Sequence, residues 1–220
     1  MKKTLAVLFG GCSSEYEVSL HSAAAVIDAV DRARYELLTV GITRSGQWLL
    51  YPGGTEAILQ DSWWRHADCV PALLSPSRED HGLWLAHADG WVCKPLDLVF
   101  PVLHGKNGED GTVQGLLELA GIPFVGCGCL CSALCMDKQV AHALAGQAGI
   151  ACPPFITVHH AGQPLAQLAQ EVTEGMGDIP MPWFVKPAAE GSSFGVSRVQ
   201  TPAQLPLRWT PPCPTAKSWW

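Results

Sequence analysis

The chain has 220 residues, 48% of them hydrophobic, which is enough apolar side chain for one large or two small packed domains. Acidic residues outnumber basic ones by 20 to 14, and the formal net charge of −6 argues against nucleic acid or an anionic membrane as the main partner. The nine cysteines lack the regular spacing of a secreted disulfide framework, so reduced thiols are predicted.

The start of the chain predicts a parallel α/β fold. Residues 4–9 form an apolar run that ends at a glycine pair, the pattern of a buried strand followed by a tight turn. A helix is predicted over residues 19–33, with Ser19 as its N-cap, and a second strand over residues 35–43. A strand, a helix and a strand joined by short connections favour parallel pairing in a doubly wound sheet.

The same first run is not predicted to be a targeting segment. It is too short for a signal peptide and reaches Glu15 and Glu17 without a cleavage-like site. No apolar stretch in the sequence approaches the roughly 20 residues that span a bilayer. We therefore expect a soluble, cytoplasmic protein.

The middle of the chain continues the pattern less regularly. Residues 44–95 scatter tryptophans among glycine, proline and aspartate, which predicts strands and long loops. The strongest strand pattern covers residues 97–104 and ends in a glycine-rich turn. A helix over residues 112–119 and a strand over residues 122–126 complete another crossover unit.

A second β-α-β series is predicted after a helix that begins near Ser132 and ends at Gly146 or Gly149. It consists of a strand over residues 152–158, a helix over residues 164–175 and a strand over residues 182–187. Because the pattern restarts here, we place a domain boundary near Met136.

One group of cysteines needs a separate interpretation, since clustered thiolates bind zinc. It lacks the paired C-x-x-C spacing of structural zinc sites, and cysteine is also a common small buried residue. No metal ligand is therefore predicted in this chain. The group comprises Cys127, Cys129, Cys131 and Cys135.

The first motif with chemical content is GGCSSEYEVSLHSA, at the transition from the first strand to the first helix. In open α/β sheets the ligand crevice lies at the carboxyl ends of the strands, so Glu15 is expected to project into it and to hold an ammonium group. The alternative is that Glu15 only caps the first helix turn. The motif is not a G-x-G-x-x-G dinucleotide fingerprint.

The second motif is HGKNGEDGT, at the end of the strongest strand. Its glycines allow the backbone to approach a ligand closely, while His104, Glu109 and Asp110 supply polar groups at the same crevice. A purely structural histidine is the alternative for His104.

Two further motifs carry lysines. Lys138, in MDK, enters a helix at the predicted domain boundary, where it can reach a phosphate. Lys186 ends an apolar strand in FVKPAAEGSSFGVSRV, and the glycine-serine segment after it can fold over phosphates or form an ordinary hairpin.

In this order the four motifs resemble those of the D-alanine-D-alanine ligase family of the ATP-grasp superfamily, from about Leu5 to Val199. The strings EYEVSL, GITRSGQW, LVFPVLHGKNGEDGT and SALCMDK further resemble the D-alanine-D-serine ligase branch of glycopeptide resistance. The resemblance implies a Rossmann-like (pre-ATP-grasp) parallel-sheet domain over residues 1–135, which binds substrate. The incomplete start of an ATP-grasp domain is implied over residues 136–200.

The resemblance also implies site residues. Glu15 would bind the ammonium group of the first D-alanine, with Ser192 hydrogen-bonded toward it, and His104 would lie beside that D-alanine. ATP phosphates would be contacted by Lys138, Lys186 and a covering loop formed by Gly191, Ser192 and Ser193. One departure is Ala189, which occupies a position where family members commonly carry arginine, so some charge stabilisation near the loop is in doubt.

The implied reaction is phosphorylation of one D-alanine carboxylate by ATP, followed by attack of the amine of a second D-amino acid. The product is a dipeptide for peptidoglycan precursor synthesis. Mg²⁺ would be held in a C-terminal region outside this chain, so the chain alone is expected to be inactive. The implied full-length protein is a homodimer. The alternative is a noncatalytic fragment that binds substrate or dimerises.

Residues 201–220 break with the composition before them, because prolines and tryptophans replace the expected helix and strand. A one-base shift in the reading frame would restore a helix start and the family strand. We therefore expect an insertion or deletion near the codons for Leu205 to Leu207, which resequencing of the locus would test.

Overall fold

The computed structural model describes residues 2–159, 164–191 and 195–208. Contacts divide the chain into two compact units, the first ending at Met136 and the second beginning at Asp137. Ser192, Ser193 and the part of the unusual tail after Arg208 lie outside the described residues.

Within its described residues, the first unit contains seven strands and four α-helices. The strands are β1 (Lys3–Gly10), β2 (Tyr35–Ile42), β3 (Trp48–Leu50), β4 (Val70–Leu74), β5 (Gly82–His87), β6 (Gly90–Pro95) and β7 (Leu98–Pro101). The helices are α1 (Tyr16–Ala29), α2 (Thr55–Leu59), α3 (Thr112–Ala120) and α4 (Cys129–Met136). The second unit contains α5 (Lys138–Gln147), α6 (Leu165–Met176), β8 (Trp183–Val185), β9 (Ser197–Val199) and α7 (Leu205–Arg208).

The seven strands form one sheet in the order β6-β5-β4-β3-β2-β1-β7. β1 lies between β2 and β7 and pairs in parallel with both, whereas the pairings from β2 outward to β6 are antiparallel. The predicted parallel α/β class is confirmed for the centre of the sheet. The irregular stretch after residue 44 supplies the antiparallel extension.

Side chains of β1 alternate between two hydrophobic cores, one on each face of the sheet. Ala6 and Leu8 pack in the core that includes α3, while Leu5, Val7 and Phe9 pack in the core that includes α1. A central strand buried on both faces reads as a continuous apolar run, which explains the pattern at residues 4–9.

The predicted start of α1 was wrong. The helix begins at Tyr16, with Glu15 at the N-cap position, and Ser19 lies fully buried inside it. Its hydroxyl donates to the Val102 carbonyl and accepts the N–H of Gly10 at 2.8 Å. Serine is common at N-caps, but here the hydroxyl serves backbone groups of other elements instead.

The prediction of a single helix from Ser132 to the glycines near residue 146 was also wrong. This stretch is divided between α4 and α5, with Asp137 between them in the sequence. The Asp137 carboxylate accepts the N–H groups of Gln139 at 2.9 Å and Val140 at 3.1 Å. This N-cap starts α5 anew, because an aspartate in that position satisfies amides that have no partner within the helix.

Two of the predicted strands are not regular strands. Residues 122–126 form only an isolated parallel bridge between Phe124 and Val99. Residues 152–158 form no helix or strand. In the second unit α6 and β8 lie where they were predicted, and β8 pairs antiparallel with β9.

The core of this second unit contains Val172, Trp183, Val199 and Leu205. In the described part of the chain, no helix is both long and apolar enough to cross a membrane.

Candidate functional site

A cavity of about 330 Å³ opens at the carboxyl ends of the parallel strands. The glycine turn after β1, the end of β2 and the loop after β7 meet there, as expected for an open α/β sheet. Its floor is apolar, whereas Cys12, His104, Lys106 and Asn107 supply polar groups. Apolar lining residues include Ile42, Trp48, Leu103, Val113 and Leu116.

Glu15 lies beside this cavity and is 5% exposed. It occupies the N-cap position of α1, but its side chain makes no capping hydrogen bond, so the capping alternative lacks its characteristic contact. One of its carboxylate oxygens faces Gly105, where an added Cβ would lie 3.1 Å away. Glu15 therefore packs directly against the loop that follows His104.

Ser13 connects the two loops that carry Glu15 and His104. Its hydroxyl donates to the His104 carbonyl at 2.7 Å and accepts the N–H of Glu15 at 3.1 Å. Hydrogen bonds from one side-chain hydroxyl to two backbone groups fix the separation of two loops that are distant in sequence. The sequence analysis did not identify this role of Ser13.

The imidazole of His104 is held from both sides. Nε2 lies 3.1 Å from the Ser22 hydroxyl of α1, and Nδ1 lies 3.7 Å from a Glu109 carboxylate oxygen. The other Glu109 oxygen accepts the N–H of Gly105 at 2.7 Å. The ligand atoms of Glu15, His104 and Glu109 all lie within 4.8 Å of one another.

The glycine-rich loop around this group is itself well ordered by hydrogen bonds. Asp110 accepts the N–H groups of Asn107 at 2.8 Å and Thr112 at 3.0 Å, while buried Gln114 donates to the Gly108 carbonyl at 2.8 Å. Gln114 was missed in the sequence analysis. Its signal is a polar residue on the apolar face of the helix, next to Val113 and one turn before Leu117.

The second unit brings two of the predicted lysines together. The Lys138 ammonium donates to the carbonyls of Glu190 and, at 3.5 Å, Ala188, and its backbone N–H donates to Ala188 at 3.0 Å. Burial lowers the pKa of Lys138, and the nearby positive charge of Lys186 lowers it further. Two neighbouring positive charges, one at the start of α5 and one directly after β8, favour the binding of an anion.

The loop that Lys138 contacts runs to Gly191, and the described residues end there before resuming at Gly195. Ser192 and Ser193, the predicted phosphate-covering residues, lie outside the described residues. The structure thus places Glu15 with His104 in the first unit, and Lys138 with Lys186 in the second.

Two family profiles match the chain. The profile "D-ala D-ala ligase N-terminus" covers residues 4–127, and the profile "D-ala D-ala ligase C-terminus" covers residues 144–208. The crystal structure of the VanG D-Ala:D-Ser ligase from Enterococcus faecalis is 43% identical with a TM-score of 0.83, covering 94% of this chain and 58% of that chain.

Two curated relatives give the same result. The D-alanine-D-alanine ligase of Thermoanaerobacter sp. (strain X514) is 43% identical over 206 residues, which is 93% of this chain and 56% of the relative. The vancomycin/teicoplanin A-type resistance protein VanA of Enterococcus faecium is 40% identical over 201 residues, which is 91% of this chain and 54% of the relative.

The sheet, the polar group at its strand ends and these matches relate the chain to a family of ligases. The first profile alone covers more than half of the chain. The chain belongs to the D-alanine-D-alanine ligase family. The resemblance noted in the sequence is confirmed, and the chain spans about half the length of the curated relatives it matches.

Proposed function

We propose that this chain supplies the first-substrate site and the first part of the ATP site of an ATP-dependent D-alanine-D-amino acid ligase. The product would be a dipeptide for peptidoglycan precursor synthesis in the cytoplasm. Residues 1–135 would bind substrate and residues 136–200 would begin the ATP-grasp domain. The full-length protein would act as a homodimer.

The observation that carries this proposal is the convergence of Glu15 and His104 at the carboxyl edge of the sheet. A buried carboxylate beside an imidazole suits the zwitterion of an amino acid, because the carboxylate attracts the ammonium group and the ring can contact the substrate carboxyl group. The loops that carry the two side chains are joined through Ser13, so the pair is positioned before substrate arrives.

Lys138 and Lys186 would contact ATP phosphates, since phosphoryl transfer depends on positioning and on neutralising negative charge. Gly191, Ser192 and Ser193 would cover the phosphates. Carboxylates in the part of the relatives that this chain does not span would hold Mg²⁺, which would neutralise charge on the transferring phosphate.

The second substrate in this proposal is D-alanine or D-serine. A D-alanine-D-alanine ligase and a D-Ala:D-Ser ligase are both 43% identical to the chain, so overall identity does not separate D-alanine from D-serine.

The test is an NMR titration of the purified 220-residue chain with D-alanine, with L-alanine as the matched ligand control and ATP in a separate arm. Amides at the carboxyl edge of the sheet should shift with D-alanine and not with L-alanine. ATP should shift amides around Lys138 and Lys186. If D-alanine left the spectrum unchanged while ATP shifted it, the substrate assignment would be wrong. If the chain is instead a noncatalytic fragment that only dimerises, neither D-alanine nor ATP should shift the spectrum.

Glu15→Gln should weaken D-alanine binding roughly 30- to 1,000-fold, because loss of a charge partner in a closed site costs about 2 to 4 kcal/mol. The matched control is Glu56→Gln, which removes an exposed carboxylate on α2. Equal affinity in wild type and Glu15→Gln would show that Glu15 only occupies a helix start.

A further inference from the structure

Glu15, His104 and Glu109 bring two carboxylates and an imidazole to one point, with ligand atoms no more than 4.8 Å apart. We infer that these three side chains bind one divalent transition-metal ion, of the type of Zn²⁺ or Co²⁺. Coordinating oxygens and nitrogens around such an ion lie about 2.0 to 2.2 Å from it. Binding therefore requires side-chain rotations that bring the three atoms to that distance.

The kind of ion follows from the ligand set. Mg²⁺ and Ca²⁺ prefer oxygen ligands alone, whereas an imidazole nitrogen favours zinc and its first-row neighbours. The proposed site therefore differs in its ligand atoms from a Mg²⁺ site that would accompany ATP. Two carboxylates also balance the charge of a divalent ion, which lowers the cost of holding it beside buried Glu15.

The ligands are oriented by neighbours of the kind that metal sites need. Ser22 lies 3.1 Å from His104 Nε2, which leaves Nδ1 facing Glu109. Gly105 donates its N–H to one Glu109 oxygen at 2.7 Å, which leaves the other oxygen facing the histidine. Partners that fix the ring and the carboxylate raise metal affinity, and their loss typically costs about 10- to 100-fold.

Three protein ligands leave a fourth position of a tetrahedral ion open, as in sites that exchange water for a small ligand. His104 also lines the cavity, so solvent reaches the group. If Glu15 also binds the ammonium of D-alanine, as proposed above, then the metal ion and the substrate compete for one carboxylate. Only this competition rests on the proposed function, because the ligand geometry stands without it.

The cysteines are the main competing ligands, since Cys12, Cys127, Cys131 and Cys135 are exposed. Cobalt(II) separates the two cases, because thiolate ligation adds intense charge-transfer absorption that nitrogen and oxygen ligands lack. The experiment is therefore a Co²⁺ titration of the reduced 220-residue chain, followed by visible absorption and by calorimetry.

We expect one Co²⁺ per chain with a nitrogen-oxygen spectrum. Loss of any one ligand should weaken Co²⁺ binding by at least about tenfold, in the variants Glu15→Gln, His104→Gln and Glu109→Gln. Ser22→Ala should weaken it by about tenfold, because the His104 ring loses the partner that orients it. Glu56→Gln and His87→Ala, which remove exposed side chains elsewhere, should leave affinity unchanged. Circular dichroism of each variant verifies that it folds, and Ser22→Ala provides a test that keeps all three ligands.

A thiolate spectrum, absence of binding, or equal affinity in the site variants and the controls would overturn the inference. Addition of D-alanine should lower the apparent Co²⁺ affinity of the wild-type chain. If D-alanine shifts the NMR spectrum but leaves Co²⁺ affinity unchanged, the metal site lies elsewhere. If Co²⁺ binds as expected and D-alanine produces no NMR shift, the metal site stands and the proposed substrate site fails.

Discussion

The Ser19 hydroxyl joins three parts of the first unit, since it sits in α1, donates to the Val102 carbonyl and accepts the N–H of Gly10. Val102 belongs to the segment that leads to His104, and Gly10 ends β1. A fully buried hydroxyl of this kind stabilises the protein mainly because its removal leaves two backbone groups without partners.

We expect Ser19→Ala to lower the free energy of unfolding by about 2 to 4 kcal/mol, from an unsatisfied buried donor and acceptor. Urea denaturation followed by tryptophan fluorescence measures this. Ser45→Ala is the matched control, because Ser45 is exposed and its hydroxyl makes a hydrogen bond to the exposed hydroxyl of Thr43 at 2.9 Å. A loss no larger than that of the control would show that water replaces the hydroxyl.

Lys138 and Lys186 give a second test at the scale of single residues. Burial is the larger cause of the lowered pKa of Lys138, and the charge of Lys186 is the next. Lys186→Met should therefore raise the Lys138 pKa, measured by carbon NMR of the Lys138 side chain. Lys94→Met, which removes a lysine paired with Glu36 at 2.8 Å in the first unit, should leave it unchanged.

The lowered pKa of Lys138 also determines whether the stability of the protein rises or falls with pH. The folded state releases the Lys138 proton at lower pH than the unfolded chain does, so the unfolded state binds more protons between the two pKa values. The destabilisation that comes from burying the charged Lys138 is fully present below its pKa in the folded protein. It is relieved as the pH rises toward the pKa of Lys138 in the unfolded chain. Between these two pKa values, Lys138 therefore makes the free energy of unfolding increase with pH.

At the scale of elements, the turn that ends β1 is the most constrained position beside the site. Gly10 has φ of +86°, and a Cβ there would lie 2.2 Å from the Ile42 carbonyl oxygen and 3.0 Å from the Tyr16 ring. Because β1 and β2 are hydrogen-bonded neighbours, the oxygen cannot move without disturbing the sheet. This turn also sets the direction of the following segment, which carries Glu15.

Gly10→Ala should lower the free energy of unfolding by at least about 2 kcal/mol, from backbone strain and the clash together. Gly115→Ala is the control inside α3, where the added Cβ meets only Cys129 Sγ at 3.5 Å, and it should stabilise by about 0.5 to 1 kcal/mol. Thermal and urea denaturation of both variants provide the comparison. Equal effects in the two variants would contradict this account of the turn.

At the scale of the whole molecule, the chain carries the two groups that we propose for substrate and phosphate but spans 56% of a curated relative. Phosphoryl transfer also needs metal ions that balance the charge on the transferring phosphate, and in the function proposed above their ligands belong to the part of the relatives that this chain does not span. We expect no release of ADP above background from the 220-residue chain with D-alanine, ATP and Mg²⁺. A coupled assay with a full-length family member as positive control measures this, and turnover that survives repurification would refute it.

Much of the fold could be read from local patterns. The apolar run at residues 4–9, the periodicity of α3 and the glycine-rich loop after β7 each carry their signal within a few residues. The antiparallel extension from β3 to β6 could not be derived in this way, because its strands are short and their pairing depends on contacts across the sheet. The helix break at Asp137 was missed because an aspartate inside an apolar helical pattern is ambiguous until its side chain is seen to cap.

The sequence by itself determined the family, the parallel centre of the sheet and the candidates Glu15, His104, Lys138 and Lys186, because motif order and hydrophobic period are local properties of the chain. Only the tertiary structure decided that Ser13 joins the two loops and that Ser22 and Glu109 hold His104. It also decided that Ser19 is a buried bridge and not a helix cap. Those roles depend on which backbone groups come within hydrogen-bonding distance, and the packing of α1 and β7 around β1 sets those distances.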